Sequence, residues 1–509
     1  MLPATPEPRA IDRDLPLDLV VVGGGINGCG IARDAAGRGL SVLLVEQGDL
    51  ASATSQWSTK LVHGGLRYLE HYEFRLVGEA LRERDVLLSA APHLIEPLQF
   101  VLPHEPHLRP RWMIRAGLFL YDHLGGRTSL PKSRSERLDA AGLGAGLKPD
   151  YRRGFSYFDA RVDDARLTIA NARAAADLGA VIAPRTRFVG AAAADGVWAC
   201  EFEGAAGDGG RHRLRARAIV NAAGPWVARV QDAIGGAPAD ARVRHVKGSH
   251  IVVPRLHPGE HAYILQNPDQ RIVFIIPYLG AFSLIGTTDV AVDDFAHPVI
   301  SDEEIAYLCA TASRYCARPV APADVVWSYS GVRPLYDDGA GEAAAVTRDY
   351  VLRDSVVGGA ALVSVYGGKL TTYRKLAEHA LERLAPHFPA MGRRWTHAVP
   401  LPGGDFRGGL AALTADLKQA YPFLPQDHLA GMARRHGTVA FDWLDEARSL
   451  ADLGEHFGAG LYAREVDHMV AQEWALAADD VLYRRSKSGL MMDDAARAAL
   501  AGYMQARTT

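Results

Sequence analysis

Two stretches far apart in the chain concentrate residues that do chemistry. "STKLVHGGLRYLEHYEF" (Ser58 to Phe74) carries Lys60, His63, Arg67 and Tyr68 around Gly64-Gly65, and "VYGGKLTTYRK" (Val365 to Lys375) places Lys369 and Thr371 beside Gly367-Gly368. Two further segments, "SGVRPL" (330–335) and "VTRDY" (346–350), each add an arginine, Arg333 and Arg348. A planar guanidinium matches a phosphate or carboxylate with two parallel hydrogen bonds. One such arginine is ordinarily a surface ion pair, whereas Arg67, Arg333, Arg348 and Lys369 together would make an anion pocket. His63 titrates in the range a general base needs. It is the candidate base, and orienting the Gly-Gly loop or bonding a bound cofactor is its alternative role. Lys369 and Arg333 are candidates for stabilising negative charge that develops on an oxygen.

These residues need elements to position them. The first ordered run is "LDLVVVGGGINGCGIARDAAGRGLSVLLVEQG". Leu17 to Val22 reads as a buried parallel strand. Gly23, Gly25 and Gly28 follow as GxGxxG, Ile26 to Arg38 reads as a helix ended by Gly39, and Ser41 to Val45 as a second strand closed by Glu46. With strand, glycines, helix, strand and acid all present, the motif predicts a dinucleotide site. The first glycine permits the turn, the second lets a pyrophosphate approach, and the third lets helix and strand pack. The N–H groups at the helix start, from Ile26 and Asn27 onward, face the phosphates. Glu46 would take a ribose 2′-hydroxyl, which argues against a 2′-phosphate. Ala218 to Asn221, followed by Gly224, reads as a strand that returns to the same sheet. The helix in "FDARVDDARLTIANARAAADLGAVI" has Asp163 or Asp164 as its N-cap and stops at Gly179. "KGSHIVV", "RIVFIIPY" and "FSLIGTTD" read as strands of an antiparallel sheet.

The expected architecture is therefore α/β plus α: a Rossmann-like nucleotide domain interrupted by an antiparallel-sheet domain, with a helical C-terminal domain. The boundaries are 1–16 as a disordered lead; 17–72, 150–240 and 345–400 in the nucleotide domain; 73–149 and 241–344 in the substrate or cap domain; and 401–509 at the C-terminus. The 509 residues, 48% hydrophobic and 23% charged, suit two to four globular domains. A net charge of −3 gives no sign of nucleic-acid binding. The four cysteines show no CxxC spacing, so a reduced compartment without disulfides is expected, and no metal. Cys309 and Cys316, one heptad apart, would share a buried helix face. The first residues lack an apolar signal core, and no window has the roughly 18 apolar residues of a membrane span.

The motifs together carry a resemblance. "VVGGGINGCGIARDAAGRGLSVLLVEQGDLASATS", "KLVHGGLRYLEHYEFRLV", "VDDARL", "KGSHIVVP", "IGTTD", "YSGVRPL", "TRDY" and "GGKLTTYRKLAEHAL" occur in order. The chain resembles the bacterial aerobic, FAD-dependent glycerol-3-phosphate dehydrogenases from about residue 17 to its end, more weakly after about 400. That resemblance implies oxidation of sn-glycerol 3-phosphate to dihydroxyacetone phosphate, with FAD as hydride acceptor and a membrane quinone as final acceptor. It implies that Arg333, Arg348 and Lys369 bind the substrate phosphate or neighbouring hydroxyls, and that Arg67 and Tyr68 line the same pocket. Thr54, Ser55, Ser58 and Lys60 would follow the adenine-ribose strand towards the flavin, with His63 and Gly64 running close to the ring. Gly367, Gly368, Leu370 and Thr371 would lie by the flavin carbonyls. Gln56 and Trp57 depart from the smaller residues of the family. A quinone reductase must touch a bilayer, and "LRPRWMIRAGLFLYDHL" (108–124) suits an interfacial amphipathic segment at the inner face of the cytoplasmic membrane. A homodimer stays open. The alternative is an oxidase of the same superfamily that uses O₂; a non-enzymatic flavin sensor is the remote one.

Overall fold

The computed structural model describes residues 15–105, 108–204, 210–238, 243–337 and 349–508. Among these, two large sheets carry the chain up to about residue 366. The first is built on Leu17–Val22, which pairs in parallel with Val42–Val45 on one side and Arg211–Asn221 on the other. Its order runs from Val351–Val357 through Ala360–Tyr366, Arg211–Asn221, Leu17–Val22 and Val42–Val45 to Val181–Ala183. The central strands are apolar on both faces because both faces are covered. On one side Leu19 and Val21 pack under helices Ile26–Gly37, Asp164–Asp177 and Tyr373–Leu384. On the other, Val20 and Val22 pack with Phe188, Trp198 and Phe202 of an antiparallel hairpin.

The second sheet runs from Val290–Ala291 through Val243–Pro254, Phe282–Gly286, Ile272–Tyr278, Ala262–Gln266, Ile95–Pro103 and Arg153–Val162 to Leu61–Val62, and Trp327–Tyr336 pairs with Val243–Pro254. Helices Phe74–Ala90 and Arg111–Leu124 cover one face through Val77, Leu81, Leu118 and Tyr121. Asp302–Tyr315 covers the other through Leu308, Ala312 and Tyr315. A helical C-terminal unit follows, with helices Gly409–Ala420, Gln426–His436, Ala463–Glu473 and Asp494–Thr508 around its own apolar clusters.

The fold is α/β plus α, as the sequence implied. Leu61–Val62 and Arg153–Val162, placed by the sequence in the nucleotide domain, pair in the second sheet. The reason is that Arg153–Val162 finds a nine-residue antiparallel partner in Ile95–Pro103, and an apolar run does not announce which sheet it will complete. Asp163 is the N-cap, accepting from the Arg166 N–H at 3.1 Å, and the φ of +90° at Gly179 ends the turn. Helix Ile26–Gly37 stops one residue early, with Arg38 as its C-cap. Cys309 lies in helix Asp302–Tyr315 and Cys316 caps it; both are buried, and the four cysteines are free thiols. The expected disordered lead falls on 1–14, outside the described residues, and on Leu15 and Pro16. No helix among the described residues is long and apolar enough to cross a membrane.

The glycines of the first turn are required by contact. A Cβ on Gly28 would sit 1.9 Å from the Gly23 carbonyl oxygen, and one on Gly23, whose φ is +114°, 2.5 Å from that of Ala222. Gly502, in the last helix, would place its Cβ in open space. Gly28→Ala should therefore lower stability by about 1–3 kcal/mol, while Gly502→Ala should raise it by about 1 kcal/mol. Thermal unfolding of the two variants, which should shift in opposite directions, checks this.

Candidate active site

The two sheets enclose a cavity of about 1230 Å³, larger than the roughly 300–1,000 Å³ of a typical small-ligand site. Its first end is the dinucleotide turn: Gly23, Gly25, Ile26, Asn27 and Glu46 line it, with Gly224 from the returning strand. The Ser55 hydroxyl accepts from the Ile26 N–H at 2.9 Å. Glu46 receives the N–H groups of Gly24 at 2.7 Å and Gly48 at 2.8 Å. Burial pushes its pKa up, against those two hydrogen bonds. Each carboxylate oxygen keeps a second lone pair for a ribose hydroxyl.

At the second end the two motifs meet. The His63 N–H donates to Thr371 Oγ1 at 3.2 Å, and the Asn27 amide donates to the Gly367 carbonyl at 3.2 Å, leaving Asn27 Oδ1 buried without a partner. The φ of Gly368 is +99°, and a Cβ there would lie 2.7 Å from Asn27 Nδ2, so only glycine fits. Arg67, Tyr68, Arg333 and Lys369 line this end. Lys369 Nζ sits 4.1 Å from the centre of the Tyr68 ring. Arg333 holds Asp289 at 3.0 Å and reaches over Gly248, where a Cβ would stand 3.1 Å from its Nη2. Among the described residues neither Arg67 nor Lys369 has a carboxylate within ion-pair distance.

Two imidazoles face the same space. His63 is half-buried; burial draws its pKa down, Asp159 opposes and Lys369 adds to the lowering. His250 is buried, its Nε2 lies 3.0 Å from Thr59 Oγ1, and its Nδ1 has no partner. Burial, with Lys60 and Arg333 nearby, pushes it down to about 3. Both are therefore neutral near pH 7, the state in which an imidazole takes up a proton.

Comparison with known proteins agrees with this geometry. Residues 18–374 match the FAD dependent oxidoreductase family, and 394–506 match the C-terminal domain of alpha-glycerophosphate oxidase. The glycerol-3-phosphate dehydrogenase of Pseudomonas aeruginosa is 54% identical over 96% of this chain and 95% of its own. The chain belongs to the FAD-dependent glycerol-3-phosphate dehydrogenase family. The aerobic glycerol-3-phosphate dehydrogenase of Escherichia coli is 51% identical over 94% of this chain and 95% of its own. The D-erythritol 1-phosphate dehydrogenase of Brucella abortus is also 51% identical, over 95% and 96%. A solved glycerol-3-phosphate dehydrogenase from Bacillus halodurans, complexed with FAD, superposes with a TM-score of 0.72 at 25% identity, covering 97% of this chain and 95% of that one.

FAD is thus the cofactor, as in that family, and the cavity fits it: a glycine-lined helix start, a ribose acceptor and an orphaned Asn27 oxygen line a space of the right kind. Of the residues the sequence assigned, Gly23, Gly25, Ile26, Asn27, Glu46, Thr54, Ser55, Ser58, His63, Arg67, Tyr68, Gly224, Arg333, Gly367, Gly368, Lys369, Leu370 and Thr371 line the cavity. Three do not. Gly28 packs against the Gly23 carbonyl. Gly64 turns its back to the cavity, towards Leu81 and the Tyr121 hydroxyl. Lys60 points away, its ammonium held by Asp164 at 2.9 Å and the Gln56 carbonyl at 2.8 Å. Several hydroxyls in the lining are already engaged: Thr54 with the Val332 carbonyl at 2.6 Å, and Ser58 with Asp164 at 2.7 Å. Arg348 lies outside the described residues. Trp57 stacks on Tyr329 with ring centres 5.2 Å apart and forms part of the wall, and buried Gln56 donates to the Ser52 carbonyl at 2.7 Å. Sequence reasoning missed His250, Thr287 and Asp289, which lay in segments read only as strands; a histidine inside the apolar run "KGSHIVV" was the available signal. It also expected no metal. His436, His468 and Glu473 do cluster, but Glu473 is bonded to Arg166 and His436 to Glu465.

Burial holds His250 and His93 at about 3 and His468 at about 4. The unfolded chain binds these protons below its ordinary histidine pKa of about 6.5 while the native state does not. This contribution is therefore full above pH 6.5 and is lost as the pH drops from there towards about 3. Thermal unfolding should shift down steadily from pH 7 to pH 5, and the slope should be shallower in His250→Gln.

Proposed function

We propose that this protein oxidises sn-glycerol 3-phosphate to dihydroxyacetone phosphate and hands the electrons to a membrane quinone. The observation that carries the reading is the gathering of Arg67, Arg333 and Lys369 at the cavity end that also holds two neutral imidazoles. The cations suit a phosphate, with Arg333 offering a guanidinium edge and Lys369 a point charge fixed over Tyr68. They orient the adjacent secondary alcohol, and their charge stabilises its oxygen as the proton leaves. The proton passes to an imidazole nitrogen. His63, whose ring is half-exposed to the cavity, is the base expected from the sequence. His250 has an unpartnered Nδ1, the acceptor nitrogen when Nε2–H donates to Thr59, but the burial that pushes its pKa down to about 3 makes it a weak base. Bound FAD supplies the acceptance of the hydride from carbon. Gly64-Gly65 serves this arrangement indirectly: a Cβ on Gly65 would stand 2.3 Å from the Tyr68 ring, so glycine leaves room for the ring under Lys369.

A second substrate reading, D-erythritol 1-phosphate, is favoured by the Brucella abortus relative, which is 51% identical, as is the Escherichia coli one. It presents the same phosphate and a secondary alcohol on a longer chain. The deciding experiment is anaerobic titration of the flavin spectrum. Glycerol 3-phosphate should bleach it at lower concentration than erythritol 1-phosphate; the reverse order would replace the substrate, and no bleaching by either would remove both. Arg333→Ala should raise KM for glycerol 3-phosphate by about 10²-fold, as loss of a charged hydrogen-bond partner does, and much less for glycerol. Comparing flavin reduction in His63→Gln and His250→Gln at saturating substrate assigns the base to the slower variant. An oxidase would form about one H₂O₂ per turnover, so a low peroxide yield with a quinone analogue as acceptor separates the two acceptor classes.

The quinone reading requires a membrane contact, which we assign to helix Arg111–Leu124 at the inner face of the cytoplasmic membrane. The helix buries Leu118 and Tyr121 in the protein and leaves Trp112 70%, Phe119 55%, Leu120 44% and Met113 41% exposed. The Arg109–Glu70 pair at 3.2 Å ties its start to the turn before exposed Tyr72 and Phe74. Aromatic and apolar side chains flanked by Arg109, Arg111 and Arg115 fit a headgroup layer. Trp112→Glu with Phe119→Glu should abolish co-sedimentation with anionic vesicles while the flavin is still bleached by substrate; unchanged sedimentation would remove this helix as the anchor.

A further inference from the structure

The C-terminal unit sends a run of cations, Arg484, Arg485 and Lys487, across its boundary to meet acids that bracket one segment of the cavity wall. Asp49 begins that segment. It accepts from Arg484 Nε at 2.5 Å and from Arg485 Nη2 at 2.9 Å. At the other end Lys487 bonds Asp163 and stands 3.3 Å from Asp164. Asp164 in turn holds the Ser58 hydroxyl at 2.7 Å and Lys60 Nζ at 2.9 Å. Between these two anchorages Ser52, Ala53, Thr54, Ser55, Trp57, Ser58 and Thr59 all line the cavity.

We propose that Arg484, Arg485 and Lys487 are a latch by which the C-terminal domain retains FAD: they are positioning residues that hold segment 49–60 against the cofactor. Three observations converge. The segment has no sheet partner until Leu61–Val62, only a short 3-10 turn at Thr54–Gln56, so its path needs outside support. Both lysines that meet at Asp164 have left-handed backbone, with φ of 61° at Lys60 and 56° at Lys487, a conformation unfavourable for residues with a Cβ and kept only where surroundings impose it. And at this point the docking is ionic although buried, beside apolar contacts such as Tyr483 stacked on Trp327; adhesion alone is better served by apolar side chains, whereas buried ion pairs can specify one register. Loss of one partner also leaves an uncompensated acid beside the segment, which loosens it rather than merely undocking the domain. This role rests on FAD as cofactor and is independent of the substrate and of the final acceptor.

The test is the rate of FAD release from the holoenzyme, read as the rise of free-flavin fluorescence on dilution, together with the unfolding temperature of each variant. Lys487→Met and Arg484→Met should each release FAD about tenfold faster or more, the scale on which truncating one partner of a buried charge pair acts on dissociation. Lys487→Arg, which keeps the charge, should stay near the wild-type rate. The control is Arg435→Met, which breaks the buried Arg435–Glu465 pair (2.6 Å) inside the C-terminal domain; it should lower the unfolding temperature and leave release unchanged. Wild-type release in Lys487→Met, or equal acceleration in Arg435→Met, would overturn the latch. Should Lys487→Met not fold, Arg484→Met, whose side chain is partly exposed, gives the same decision.

Discussion

A carboxylate removed from water must be neutralised on the spot, and Asp164 is wholly buried. Burial alone would raise its pKa; Lys60 and Lys487 outweigh that and hold it below the usual carboxylate range. Its position in the first turn of helix Asp164–Asp177 adds the Ala165 N–H at 2.9 Å and the positive end of the helix dipole. Because the lysines come from the cofactor segment and from the C-terminal domain, satisfying this one charge joins three parts of the molecule. Lys60 itself is drawn down by burial, with Asp164 opposing, while Lys487 is held up by Asp163 and Asp164 against its own burial. Ser58, fixed to the same carboxylate, offers its carbonyl to the Tyr329 hydroxyl at 2.7 Å. The second sheet is thereby set against the first.

The second constraint is steric. At the cavity end of the first sheet, the turn after Leu17–Val22, the end of Arg211–Asn221 and the Gly367-Gly368 corner approach so closely that a Cβ on Gly23, Gly28 or Gly368 would come within 3 Å of its neighbours. The closeness keeps the start of helix Ile26–Gly37 at the cavity wall, where the Ser55 hydroxyl takes the Ile26 N–H. Function depends on that economy: backbone makes the cofactor end, and the long side chains of Arg67, Arg333 and Lys369 are reserved for the other.

The chemistry-bearing stretches were legible because their residue types are costly to place anywhere else. GxGxxG within strand, helix and strand admits few other readings, and Asp163 and Gly179 marked a helix by rules local to a few residues. Orientation was not legible. Lys60, Ser58 and His63 lie within six residues of one another, yet Lys60 serves Asp164, the Ser58 hydroxyl is spent on the same carboxylate and His63 faces the cavity. A sequence states proximity along the chain, and the side to which each residue turns depends on partners about a hundred or more residues away. His250 escaped notice for the converse reason: its neighbours are apolar, so its strand read as core alone.

From its sequence this protein's fold class, family and cofactor were determined, because they follow from short-range rules: glycine conformations, buried strand runs and the order of motifs. The tertiary structure alone decided which cations share a cavity, which imidazoles stay neutral and which sheet receives Arg153–Val162. Those outcomes depend on burial and on long-range pairing, whose energies exist only once segments distant in the chain are brought together and water is excluded from between them.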